Sequence, residues 1–249
     1  MKIHPLFFLL PPVVFTSCWP TPGRVELPQL PSQGFTAYSP PQGNPGSENS
    51  WNLRGPGTVL RVNRYEVEYG ARSVVGQQQL AQMVIDANNP QTRVPFAALS
   101  NKRTSGGSVD ASGGWNIAEV VNIKAALNIS NSTTYDIQFG NTWVAELTEQ
   151  DLHKATGIRD IRKPTILNLR QGKSHLVLKT VYTDSLKIYF KTEKQGGGKV
   201  AVDIPLQNQD KLEGKYKVTN DGGVEISGPI MVGYVQVGKE GIESIFPKK

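Results

Sequence analysis

The chain has 249 residues, a formal charge of +6 and a single cysteine. That length suffices for one large or two small cores, and one cysteine excludes a disulfide scaffold. Thr, Val, Gly, Asn and Ser are plentiful while runs of helix formers are few, so a β-rich protein is expected.

Met1 to Cys18 reads MKIHPLFFLLPPVVFTSC: a basic start, an apolar run from Leu6 to Phe15, then Thr16-Ser17-Cys18. The run is too short to span a bilayer as a helix and has the layout of a signal peptide over residues 1–17. With the only cysteine directly after two small residues, the segment resembles the bacterial lipoprotein signal. The resemblance implies cleavage before Cys18, diacylation of its thiol by palmitate-type chains, and a lipid bilayer as partner. Trp19 follows where Asp would signal inner-membrane retention, which implies the outer membrane, facing the periplasm or the cell surface. Each buried lipid methylene contributes about 0.8 kcal/mol, so several chains hold a domain at a bilayer durably.

Residues 18–57 form the acylated end and a tether with about half of the 17 prolines and only Arg24, Glu26, Glu48 and Arg54 charged. Such a composition predicts disorder, spanning roughly 35 Å as a coil or roughly 120 Å fully extended. Trp19, Phe35, Tyr38 and Trp51 are scattered through it, either incidental or docked on the folded part or a partner.

An α+β part is expected over 58–156. Val59 to Tyr69 is β-rich with an alternating second half, and Val74 to Ala87 carries Leu80, Met83 and Val84 at helical spacing. Thr92 to Leu99 suggests a short strand, and Asn101 to Gly114 a flexible loop. From Ile117 to Ile129, and again from Thr133 to Leu147, apolar residues fall on odd positions. Pairing the two runs gives a long antiparallel hairpin with one apolar side. That side is either packed on the protein or, with Ile123, Leu127, Ile137, Phe139 and Trp143, inserted in a membrane or an oligomer. Thr148-Glu149-Gln150-Asp151 resembles a capping box opening a short helix that stops before Gly157.

Residues 157–249 read as a basic all-β part, a small sandwich or barrel. It holds 16 Lys or Arg against 10 Asp or Glu, whereas residues 1–156 hold 11 of each. Strands are expected at 175–182 and 186–191, joined across Thr183-Asp184-Ser185, and at 199–204. A hairpin is expected around Asn220-Asp221-Gly222-Gly223, and a central strand over 230–237. Lys187, Tyr189 and Lys191 share one face and, with Lys179, make a candidate binding surface. The basic run from Arg162 to Lys199 suits either a solvated sheet face or an anionic envelope polymer, lipid phosphate or acidic protein.

No catalytic constellation, metal-ligand spacing or phosphate-binding loop stands out. His153 and His175 lack neighbours at ligand spacing, and no cofactor is expected. Nucleic acid is not expected as a partner of an exported chain without a recognition module. The sequence therefore points to a lipid-anchored envelope protein, a non-enzymatic binding or structural subunit, possible as an oligomer. An oligomeric pore component using the hairpin 117–147 is the alternative, and an envelope hydrolase the third reading.

Overall fold

The computed structural model describes residues 29–38, 54–62, 66–108, 123–129, 133–193, 199–212 and 216–248. The signal-like segment, Cys18, Trp19, Trp51 and residues 117–122 lie outside the described residues. The fold is a β-rich α+β arrangement built on one 11-stranded sheet, antiparallel at every pairing.

The strands are β1 (Thr36–Ala37), β2 (Val59–Arg61), β3 (Glu66–Tyr69), β4 (Val94–Pro95), β5 (Arg103–Ser108), β6 (Thr133–Phe139) and β7 (Thr142–Glu146). They continue with β8 (Ser174–Glu193), β9 (Lys199–Ala201), β10 (Tyr216–Val218) and β11 (Val224–Gln236). Everything is arranged about β8, whose 20 residues reach roughly 65 Å at strand rise. β11 runs along one edge of it, and β7 and then β6 along the other. Residues 58–156 and 157–249 therefore share a sheet, and among the described residues the C-terminal part forms no sandwich or barrel of its own.

Thr183-Asp184-Ser185 joins no hairpin, because β8 passes straight through it. The three residues instead sit where neighbouring strands are also irregular. β6 gives way to β7 at Gly140-Asn141, and β11 shifts register between Ser227 and Ile230. The Asp184 carboxylate accepts from the Asn141 backbone N–H at 2.9 Å and from its side-chain amide at 2.8 Å. Gly140 is required here, since a Cβ would stand 2.1 Å from Asp184 Oδ1 and 2.4 Å from Ser185 Oγ. Two cores meet near this corner, and Val181 before it packs with the first. Ile137, Phe139, Leu186, Ile188 and Phe190 belong to the first, and Trp143, Leu176 and Tyr182 to the second.

The expected hairpin is not formed. β6 pairs with β5 and β8, and residues 123–126 make a helical turn in which Leu127 N–H donates to the Ile123 carbonyl at 3.0 Å. The cause is local. Ala125 and Ala126 favour helix, Ile123 and Leu127 lie one turn apart against the first core, and Asn128 at φ 52° ends the turn. β5 occupies what reads as a loop: its Ser-Gly-Gly-Ser composition is weak for a strand, but β6 supplies the partner.

The helices are α1 (Gln29–Ser32), α2 (Ala71–Val75), α3 (Gln77–Asn88), α4 (Glu149–Lys154), α5 (Lys163–Arg170) and α6 (Lys239–Ile245). The single helix expected over 74–87 is two, divided at Gly76 with φ 86°. α4 has the capping box, with Asp151 N–H donating to Thr148 Oγ1 at 3.1 Å and Thr148 N–H to Asp151 Oδ2 at 2.9 Å. α5, with Pro164 in its first turn, and α6 were not legible in a stretch read as all strand. None of the helices among the described residues is long and apolar enough to cross a membrane.

Part of the expected tether is docked. β1 pairs with β11, and Leu30, Phe35 and Tyr38 are buried. Arg54, only 3% exposed, donates to the Tyr38 hydroxyl, and Tyr182 donates to the Arg54 carbonyl at 2.8 Å. The expectation of disorder fails at 29–38 and 54–57, where three apolar side chains and a buried guanidinium outweigh the polar composition.

Candidate binding face

Register places the candidate surface. Along β8, Lys187 lies opposite Gln138 of β6 and Glu225 of β11, Tyr189 opposite Asp136, and Lys191 opposite Thr134. β5 adds Arg103 beside Gln138, and β10 adds Lys217 beside Glu225. Directly paired residues point to the same side of a sheet, so five strands contribute to one polar face.

Asp136 is its fixed point. The carboxylate is buried and takes Lys191 Nζ at 2.6 Å and Arg103 Nε at 2.9 Å on the same oxygen. Burial alone would raise its pKa. The hydrogen bonds and charges of Lys191 and Arg103 together outweigh that, and hold the carboxyl below the usual range.

Tyr189 is the second anchor, and it is buried rather than exposed as the alternation suggested. The Arg103 guanidinium covers its ring with Cζ 4.0 Å from the centroid. Its hydroxyl donates to Asp221 Oδ2 at 2.7 Å and to Gln138 Oε1 at 3.0 Å. Burial first, and then the Asp221 carboxylate, push its pKa up to about 12. Gly223 leaves room for this ring, since a Cβ there would stand 2.9 Å from Tyr189 Cε1. Asp221 in turn accepts from Thr219 and Tyr189, and those bonds hold it below the ordinary carboxylate range.

Lys179 does not belong to this group. It lies beyond the corner, eight residues from Lys187 or roughly 25 Å along the strand, and pairs with Glu146 at 2.5 Å. The face proper thus combines Arg103, Lys187, Lys191 and Lys217 with Asp136, Asp221 and Glu225. Both signs alternate on a rigid plane, a pattern suited to a polar protein surface better than to a uniform polyanion. Arg103, Lys217, Asp136, Asp221 and Glu225 are the contributors sequence reasoning missed. Arg103 opens β5, a strand too glycine-rich to recognise.

The residues named for a membrane or oligomer hairpin point inward. Ile123 and Ile137 are 0% exposed and Phe139 1%, all in the first core, with Leu127 packed against it. Trp143 stacks on Tyr182 in the second core, centroids 5.8 Å apart, with the Arg93 guanidinium 3.9 Å from its ring. His153 meets Ser244 Oγ at 3.1 Å, and His175 Nδ1 meets the Tyr234 hydroxyl at 2.8 Å. Among the described residues no group of three His, Cys, Asp or Glu is placed to hold a metal ion.

No family model matches this chain, and no curated protein does. Among solved structures it is similar to a bacterial gasdermin from Bradyrhizobium tropiciagri. The TM-score is 0.39 at 13% sequence identity, over 83% of this chain and 82% of that one. A likeness at that level assigns neither a family nor an activity.

Proposed function

We propose that the chain is a bacterial envelope lipoprotein, anchored through acylated Cys18, whose sheet presents a non-enzymatic binding face to a protein of an envelope assembly. The observation that carries this reading is the ordered face around Asp136 and Tyr189, where charges of both signs are fixed across five strands with Lys187 and Lys217 at its open side. The docked segment supports the placement. With residues 29–38 held on β11, the chain between Cys18 and Gln29 reaches at most about 40 Å, so the sheet stays close to the bilayer that holds the anchor.

The test has two parts. Palmitate labelling of the mature protein, with Cys18→Ser as control, should mark the wild type alone and release the variant from membranes. Pull-down of the lipidated protein from envelope extract should recover a partner that Lys187→Glu with Lys217→Glu loses. A partner retained by that variant places the binding elsewhere.

A pore component is the second reading, favoured by one observation. β6 and β7 keep a common register against β8, Phe139 opposite Leu186 and Thr142 opposite Thr183, so residues 133–146 make one amphipathic run. That run exceeds the ~9–11 residues a tilted membrane strand needs. It requires Ile137, Phe139 and Trp143 to leave their cores at about 2 kcal/mol each. Leakage of liposomes by the full chain would establish it, and intact liposomes would end it.

A further inference from the structure

Two clefts lie at the helical end of the sheet, and their linings differ in sign. One, of about 470 Å³, sets Arg61 and Arg162 against Glu68 and Asp160, and so balances its own charge. The other, of about 290 Å³, lies between the end of α5, the start of β8 and the start of α6. Arg170, His175 and Lys239 line it, and no Asp or Glu does. We infer that this second cleft is a binding site for an oxyanion, the phosphate group of a small ligand or of a lipid headgroup.

Arg170 and Lys239 keep donors to spare, and His175 keeps one ring nitrogen. Arg170 donates through Nη2 to the Phe246 carbonyl, while its Nε is buried with no acceptor. A guanidinium carries five N–H groups in a planar fork that matches phosphate oxygens. His175 is oriented by the Tyr234 hydroxyl on Nδ1, which leaves Nε2 as its second nitrogen. Lys239 is the first residue of α6, where a cation opposes the helix dipole, and among the described residues it has no ion pair. Its charge is thus placed at a cost to the helix and beside the Arg170 guanidinium and the His175 imidazole.

The nearby acids do not cancel this charge. Glu68 accepts from Ser174 Oγ at 3.0 Å and from Arg61 Nε at 2.8 Å, and lines the other cleft rather than this one. Glu240 and Glu243 of α6 are exposed outside the lining. The volume is at the small end for ligand sites, enough for a phosphate and a compact substituent.

The site stands apart from the face around Asp136, so its failure would leave the proposed function untouched. The test titrates inorganic phosphate into the full chain by calorimetry, against chloride at equal ionic strength. Wild type should bind phosphate, and Lys239→Gln or Arg170→Gln should weaken it about tenfold or more. If Arg170→Gln does not fold, Lys239→Gln, whose removal costs α6 nothing, decides alone. Sedimentation with phosphatidylglycerol–phosphatidylcholine vesicles, against phosphatidylcholine alone, separates the sources. Vesicle binding competed by free phosphate assigns a lipid headgroup. Phosphate binding without such competition assigns a soluble ligand. Phosphate bound no better than chloride, or equally well by both variants, overturns the inference.

Discussion

The Asp184 carboxylate grips Asn141 twice, by backbone N–H at 2.9 Å and side-chain amide at 2.8 Å, and so ties β8 to the break between β6 and β7. Both bonds go to a charged acceptor, so Asp184→Ala should destabilise the fold by about 2 kcal/mol. Gly140→Ala should cost at least as much, because its Cβ falls on that carboxylate. The two losses should not add. With Asp184 already removed, Gly140→Ala should cost less than it does alone, and a urea denaturation cycle measures the coupling. Strict additivity would mean that the corner is held by something other than this clamp.

Asp136 should govern acid stability on the polar face. Its folded pKa lies below the unfolded value, so it contributes stability above about pH 4 that is lost as pH falls through the folded value. Asp136→Asn should lower stability at pH 7 by about 2 kcal/mol and flatten the denaturation midpoint between pH 4 and lower values. An unchanged acid limb in the variant would assign the transition to other carboxylates.

His175 acts at milder pH. Burial lowers its folded pKa, so the unfolded chain binds its proton first and stability falls as pH drops below about 6.5. His175→Gln should remove that part of the pH dependence while leaving the more acidic part, due to the carboxylates, in place. Melting temperature against pH, compared between the two proteins, reads the difference.

The docked segment should matter to the whole fold. Leu30 is fully buried, with Gly233 of β11 beneath it, where a Cβ would come 2.9 Å from Leu30 Cδ2. Leu30→Ala should cost about 3 kcal/mol. Deleting residues 19–53 should be more damaging still, because it also removes Tyr38 from Arg54. Equal denaturant midpoints for the full and shortened chains would show the segment to be dispensable.

Much of this architecture was legible because its signals are local. The capping box at Thr148 and Asp151, the turn at Asn220 to Gly223 and the alternation of 133–139 each depend on a few adjacent residues, and each is found where expected. What failed depended on distant partners. Arg103–Ser108 is a strand because β6 lies beside it, and Thr183–Ser185 stays extended because Asn141 reaches across to Asp184. Tyr189 looked exposed because nothing in sequence brings Arg103 over its ring or Asp221 to its hydroxyl. Ile123 to Leu127 fits both periods, and the alanines in its middle tipped it to helix.

The strand pairing also sets an order of events. β2, near residue 60, has its neighbour near residue 175, and β6, β7 and β11 all complete their ladders on β8. A nascent chain that has not yet delivered residue 193 lacks the strand on which these pairings close. Such long loop closures make acquisition of the native topology slow, which leaves the polypeptide threadable through a narrow conduit until synthesis is nearly finished.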